Sequence, residues 1–371
     1  MANLQNEEQD MKETSNPCFT LPAEWQEQSG VLLIWPDELT DWAPYLDDIR
    51  RMYVAMADAI TRHERIVMVC RDVTEAQKAL ADKLTAKQME SVTWIRAEYN
   101  DTWARDVAPL TLLSTTDEEG ANEAFRLADF CFNGWGEKFE SAKDNRLNRE
   151  LAQAGLFGGE LVEQKDFVLE GGSIESDGKG TLFTTADCLL APHRNQPLSQ
   201  ESIEAELKKR LGMKRVIWLQ CAPLPGDDTD GHIDTLVRTA PNDTLLYVGC
   251  GEDEDKQHHG LLRLERQLCA LRTAEGKPYR LLRLPMPHAI VEKGEQLPAT
   301  YANFLVINGA VLVPVYGQKE ADSKAISIVQ EAFPDREMIA IEALAAIRQH
   351  GSVHCLSMQF PQGALRQNAR Q

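Results

Sequence analysis

Short apolar runs rich in β-branched and aromatic residues recur along the whole chain: Gly30 to Trp35, Arg65 to Cys70, Phe167 to Leu169, Val216 to Leu219, Ile233 to Val237, Leu245 to Val248, Phe304 to Ile307, Val311 to Val315 and Val353 to Met358. Runs of this length and composition predict strands. Amphipathic segments lie between some of them. The clearest has Ser199 as N-cap, Glu201 in the first turn, Lys208, Lys209 and Arg210 in the last, and Gly212 just beyond, so both helix ends are signalled. Asn308-Gly309 between two apolar runs predicts a two-residue hairpin turn, with a helix following near Asp322 to Ala332. Strand pairs alternating with single helices predict an α/β fold of ββαβ-like units. Periodicity alone does not separate a ring of such units from an open mixed sheet. No Pro/Ser-rich linker, low-complexity tract or obvious repeat interrupts the pattern, so residues 1–16 are expected to form a flexible lead segment and residues 17–371 a single domain.

Composition narrows the classes of function. The chain has 371 residues, 43% of them hydrophobic, enough for a large core. Met1 to Asn16 is polar and acidic, with neither the apolar centre of a signal peptide nor a basic transit pattern. No apolar run is long enough to span a bilayer. The eight cysteines are scattered, with no CxxC pair and no tight Cys/His spacing, which argues against zinc, iron–sulfur clusters and a disulfide framework. The expectation is a cytoplasmic protein without metal or cofactor. A net charge of -19 disfavours nucleic acid, whose recognition depends on basic surface, and would concentrate a small cation.

Four segments carry candidate chemistry. Within Thr229 to Thr235, an extended backbone would put His232 and Asp234 on one face and Ile233 on the other, pairing a proton shuttle with a fixed anion. Cys355 lies in an apolar run where cysteines are usually inert, but it is a candidate nucleophile. His354 beside it would project to the opposite strand face, which leaves the remote His232 as the better base. Asn100 to Asp106 combines an indole, Trp103, with carboxylates, a set suited to holding a guanidinium or amine. Glu170 closes an apolar strand before Gly171-Gly172, and Trp135 sits between glycines in Phe132 to Gly136, as a bulge or as the lining of a pocket.

Trp103-Ala104-Arg105-Asp106, Phe132-Asn133-Gly134-Trp135-Gly136, Leu169-Glu170-Gly171-Gly172-Ser173, Gly231-His232-Ile233-Asp234 and Val353-His354-Cys355, in this order, resemble the agmatine deiminases and related bacterial peptidylarginine deiminases. The start fits as well, with Pro22-Ala23-Glu24-Trp25, Trp35-Pro36 and Asp41-Trp42, so the likeness runs from about Leu21 to Pro361. The resemblance implies a guanidine-modifying enzyme with a five-bladed α/β propeller of ββαβ units and a central active site. It further implies Cys355 as nucleophile, His232 as general acid/base, Asp106 and Asp234 as grips on the guanidinium, and Glu170 as support for the histidine. Trp103 and Trp135 would line the substrate channel, and Asp227 would receive the distal amine. The chain departs from the pattern at Asp230, where asparagine is usual, at Glu137-Lys138 after Gly136, and at His350-Gly351-Ser352-Val353 before His354-Cys355.

The implied reaction is hydrolysis of agmatine to N-carbamoylputrescine and ammonia through a cysteine thiouronium intermediate, a step towards putrescine in polyamine synthesis. Deimination of free or peptidyl arginine is the nearest rival, and an acidic pocket at Asp227 and Asp230 would disfavour its carboxylate. A non-catalytic guanidine-binding protein and an amidinotransferase are more distant readings. The expected partner is a small cationic guanidine, with neither nucleic acid nor membrane, and the sequence leaves a homo-oligomer open.

Overall fold

The computed structural model describes residues 19–115, 125–221, 223–249 and 256–366. The lead segment 1–16 and two of the eight cysteines, Cys18 and Cys250, lie outside the described residues. Among the described residues are five sheets that share one plan, two of them four-stranded and three of them three-stranded, and a separate two-stranded ribbon, Val291–Glu292 with Glu295–Gln296.

The plan is an antiparallel pair, a helix, and a third strand parallel to the second. Leu305–Ile307 and Ala310–Val315 form the Asn308-Gly309 hairpin with Ile307 opposite Ala310. Lys319–Ala332 is the crossover helix, and Glu337–Glu342 runs parallel to Ala310–Val315. The same order holds for Leu110–Ser114, Phe125–Cys131, helix Asp144–Gln153 and Glu160–Val168, and for Ile174–Ser176, Thr181–Thr185, helix Gln200–Leu211 and Arg215–Leu219. It holds again for Val237–Ala240, Thr244–Val248, helix Lys256–Ala270 and Arg280–Leu284. The remaining sheet joins the chain's two ends: Ser357–Pro361 pairs antiparallel with Gln28–Ile34, which after helix Leu46–Thr61 runs parallel to Arg65–Cys70, with Val92–Arg96 beyond.

The middle strands are apolar because both faces are covered. Val31 to Ile34, Ile66 to Val69 and Ala310 to Val313 are fully buried. The crossover helices present one apolar stripe each; in Leu46–Thr61 it is Ile49, Met52, Tyr53, Met56, Ala57 and Ile60. The helix read from Ser199 to Gly212 forms as expected, with the Ser199 side chain accepting from Ser202 N and Gly212 left-handed at φ 65°.

Two expected strands fail at the site. Ile233–Thr235 is a turn of 3-10 helix, because Asp230 at φ 65° and Gly231 at φ 88° turn the chain before His232, and pairing begins at Val237. Residues 353–356 form turns, and their strand starts at Ser357, so the opposite-face rule used to set His354 aside does not apply there. The predicted run at Phe167 is the end of a longer strand, Glu160–Val168. No helix of the described residues is long and apolar enough to cross a membrane.

Candidate active site

The candidate residues come from the joints between sheets. Trp103 caps the short helix Ala104–Val107, whose Asp106 precedes the strand Leu110–Ser114. Glu170 leads into the 3-10 turn Gly171–Ser173, and His232 and Asp234 lie between Arg215–Leu219 and Val237–Ala240. Cys355 sits just before Ser357–Pro361. All are buried. Loops leaving strand ends concentrate functional side chains, since a rigid sheet fixes where they start.

Gly172 marks where they meet. A Cβ there would lie 2.6 Å from His232 Nδ1 and 3.1 Å from both Asp106 Oδ1 and Asp234 Oδ2. The missing side chain is what lets imidazole and two carboxylates converge. Gly172 N–H donates to Asp106 Oδ1 at 2.9 Å, and Trp135 Nε1–H donates to Asp106 Oδ2 at 3.0 Å, so both oxygens are aimed by fixed donors. His232 Nδ1 is 3.8 Å from Asp106 Oδ1. Cys355 Sγ lies 3.8 Å from Asp234 Oδ2 and 3.3 Å from Asn303 Oδ1. The sulfur, the imidazole and the two carboxylates therefore gather in one place, from segments more than a hundred residues apart. Glu170 accepts from Arg194 Nε at 3.0 Å and shares a small buried cluster with His232 and Cys188.

Electrostatics set the resting protonation. Burial raises the Cys355 thiol, and the nearby charges of Asp234 and Asp106 push it further, well above its usual value. For His232, burial works against the charged form, but Asp106, Cys188 and Glu170 outweigh it and hold the imidazole well above its usual range. Burial likewise raises Asp106. Burial opposes ionisation of Asp234, but the hydrogen bond and charge of His354 lower it below the ordinary value.

A cavity of about 510 Å³ leads to Cys355, Asp106, Trp103 and Trp135. Its walls carry Asp41, Asp101, Glu140, Asp144 and Asp228, against Lys138 and His350. Crowded, buried carboxylates resist ionisation: burial and then Asp41 push Asp101 to about 7, burial pushes Asp144 to about 7, and burial brings Asp228 to about 6. Trp103 packs against Trp42 at a tilt, with centroids 5.5 Å apart, and meets Trp135 edge-on at 6.1 Å. Trp135 is left-handed, at φ 55°, a costly conformation for a bulky residue. Its hydrogen bond to Asp106 and edge contacts with Phe132 and Phe139 offset that cost.

Two expectations about acidic residues need correction. Asp227 does not face the cavity: its Oδ1 accepts from Thr229 Oγ1 at 2.6 Å and its Oδ2 from Gly231 N–H at 2.7 Å, a pattern that shapes the left-handed turn before His232. The neighbouring Asp228 lines the cavity instead. Asp230 is neutralised by Arg194 at 2.7 Å and Lys138 at 2.9 Å, so two of the departures from the family pattern, Lys138 and Asp230, form one ion pair. The negative charge of the pocket comes from other side chains.

Sequence reasoning missed several supports. Asn303 Oδ1 accepts from the backbone N–H groups of His354 and Cys355 at 3.0 and 3.3 Å, holding the turn that carries Cys355. Its one signal was a polar residue at the entry of an apolar strand. His354 puts Nδ1 at 2.7 Å from Asp234 Oδ2 and Nε2 at 2.7 Å from Glu24 Oε2, and Arg238 bridges Glu24 and Glu175 behind it. No local motif marks Arg194 or Arg238.

The model of the Porphyromonas-type peptidyl-arginine deiminase family matches residues 20–361. The chain belongs to that family. A curated Vibrio parahaemolyticus relative named "Putative agmatine deiminase" is 31% identical, covering 95% of this chain and all of the relative. Two solved family structures are similar throughout. The Porphyromonas gingivalis "Putative Arginine Deiminase" is 45% identical with a TM-score of 0.86, over 94% of this chain and 99% of that one. A C. jejuni agmatine deiminase variant with substrate bound, its cysteine replaced by serine at one position, is 31% identical with a TM-score of 0.85, over 98% and 100%.

Proposed function

We propose that this protein is a hydrolase that deiminates agmatine to N-carbamoylputrescine and ammonia, with residues 17–371 as one catalytic domain and the five sheets as blades of a closed propeller. One observation carries the reading: an imidazole and two carboxylates meet at Gly172, with the Cys355 thiol 3.8 Å from one of those carboxylates, at the end of a cavity whose remaining charge is mostly acidic. The closed ring is supported by the way the site draws one segment from the joint that precedes each sheet: Asp106, Glu170, His232 with Asp234, Asn303 and Cys355.

Asp106 and Asp234 accept the N–H donors of the guanidinium and orient its carbon towards Cys355 Sγ. The cation offsets the two charges that keep the thiol protonated, and the thiol proton leaves through the cavity. The thiolate attacks the guanidinium carbon to give a tetrahedral adduct. His232, already an imidazolium, protonates the departing nitrogen, and ammonia leaves a thiouronium on Cys355. Neutral His232 then takes a proton from water, whose oxygen attacks the same carbon, and collapse restores the Cys355 sulfur and the ureido product. Glu170 supports His232. Trp103 and Trp135 wall the alkyl chain, and Asp228, rather than Asp227, receives the distal ammonium.

The 45% identity to a P. gingivalis protein named for arginine favours a second reading, deimination of free or peptidyl arginine. The test is ammonia release from agmatine, free arginine and an arginine peptide, with Cys355→Ala as control. Agmatine turnover well above the other two, abolished by Cys355→Ala, is the expected result. Turnover that survives the substitution rules out the covalent route, and preference for arginine overturns the substrate assignment.

A further inference from the structure

The fold assembles a donor set that sequence spacing does not reveal. A Glu170 carboxylate oxygen, Cys188 Sγ and a ring nitrogen of His232 all lie within 4.8 Å of one another, and all three residues are buried. Cys188 belongs to the short helix Ala186–Leu189, placed by the Thr185 side chain accepting from Cys188 N–H. It touches none of the reacting atoms of the reaction proposed above. A second observation concerns His232 itself. Its side chain is 1% exposed, neither ring nitrogen has an oxygen or nitrogen partner at ordinary hydrogen-bond distance, and its near polar neighbours include Asp106 at 3.8 Å and the Cys188 thiol that pairs with it. A buried imidazole normally donates to an oxygen that fixes its tautomer, whereas here a thiol, itself a soft donor, stands beside the ring.

We infer that Glu170, Cys188 and His232 form a binding site for a borderline-soft divalent cation, zinc above all, and that its occupancy switches the enzyme off by capturing the general acid/base. One thiolate, one imidazole and one carboxylate are the donors zinc selects, and three protein ligands leave a fourth position for water. Tetrahedral zinc sets donors about 3.4–3.7 Å apart, so from separations within 4.8 Å the cluster closes by about 1.4 Å at most. Arg194 donates to Glu170 through Nε only, leaving carboxylate lone pairs for the metal. On binding, the Cys188 thiol and the His232 imidazolium each lose one proton to solvent, and His232 coordinates as neutral imidazole, which removes it from proton transfer. The other carboxylate–imidazole cluster, Glu24, Glu175 and His354, offers no such vacancy, because the Arg238 guanidinium already bonds both carboxylates.

The inference uses His232 as the reaction's acid/base and so rests on the proposed function, but the site is tested without turnover. Titration of Co²⁺ into the Cys355→Ala protein should give a thiolate-to-metal charge-transfer band at one equivalent. The band should vanish in Cys355→Ala/Cys188→Ser and in the Cys188→Ala counterpart, each checked for native circular dichroism. A band that survives loss of Cys188, or one seen in the wild type but absent from Cys355→Ala, places the metal elsewhere and overturns the site; no band at all does the same. In the activity arm, Cys188→Ser alone should still release ammonia, with its midpoint for zinc inhibition raised about tenfold or more, since losing even an outer partner weakens metal affinity about 10–100-fold. An unchanged midpoint overturns the switch. A protein that shows the band but deiminates nothing refutes the functional reading and leaves the metal site standing.

Discussion

Replacing Asp234 with asparagine should make Cys355 more reactive and the enzyme inactive. Asp234 Oδ2 is 3.8 Å from Cys355 Sγ. At that separation a unit charge repels a thiolate by about 4 kcal/mol at an effective dielectric of about 20. Burial of the thiol is unchanged by the substitution, so removing the repulsion alone lowers the Cys355 pKa and enlarges the thiolate fraction near neutral pH. At about 1.4 kcal/mol per decade the population gain reaches about 10²–10³-fold, and the lower basicity of the freed thiolate gives back part of it in nucleophilicity. Alkylation of Cys355 by iodoacetamide at pH 7.5, followed by peptide mass spectrometry to separate it from the other cysteines, should accelerate about 10–100-fold. Ammonia release should fall by about 10² or more, because a charge-assisted anchor on the guanidinium is gone. Cys355 alkylation no faster than in the wild type, or deimination within a few-fold of it, would refute the electrostatic account of the site.

The remaining predictions probe the supports. Glu24→Gln should cost about 3 kcal/mol in urea unfolding at pH 7, because it strips a carboxylate from buried Arg238 and His354. Burial alone would raise Glu24, but Arg238 and His354 drive it far below the ordinary carboxylate value, so its contribution is complete above that value and fades as the pH falls beneath it; a deficit that persists unchanged at low pH contradicts this. Gly351→Ala places a Cβ 2.0 Å from the Trp103 ring and should lower stability by about 1–3 kcal/mol and raise the agmatine KM as the indole is displaced. Asp228 has its pKa raised to about 6, so it is charged above that pH and neutral below it. The agmatine KM should therefore climb as pH drops through 6. Asp228→Asn should raise the KM at neutral pH and flatten this climb, whereas Asp227→Asn should act mainly on stability through its turn.

Much of the fold was legible because each unit obeys a local rule. Asn308-Gly309 could only turn, Ser199 and Gly212 bracketed a helix, and the buried middle strands were unbroken apolar runs. The strands that escaped notice, such as Glu337–Glu342 and Arg280–Leu284, are half-exposed and have short apolar stretches bounded by charged residues, so their pairing is set by a neighbour and not by themselves. The site's main chemical groups were legible as residue types in ordered motifs. Its supports were not: Asn303, Arg194 and Arg238 act through partners far away in the chain, and nothing near them in sequence announces a buried charge or amide. Asp227 and Asp228 could not be told apart for a related reason. Adjacent aspartates look alike on the page, and only the left-handed turn at Asp230 and Gly231 determines which one is spent on backbone N–H groups.

The resting site is not poised for chemistry by itself, and this bears on selectivity. Cys355 next to two carboxylates is held as the thiol, while the imidazole among the same anions is held as the cation. In the proposed reaction, the acid for the leaving group is thus ready before the nucleophile is. What the arrangement lacks is positive charge between the sulfur and the carboxylates, and a planar cation carrying N–H donors on two edges supplies it in the act of binding. A neutral amide or urea of the same shape would satisfy some hydrogen bonds but leave the repulsion on the sulfur in place, so it would bind without raising the thiolate. The ureido product is such a group. The charge that activates Cys355 disappears with the guanidinium, which gives the site a physical reason to release the product and not attack it again.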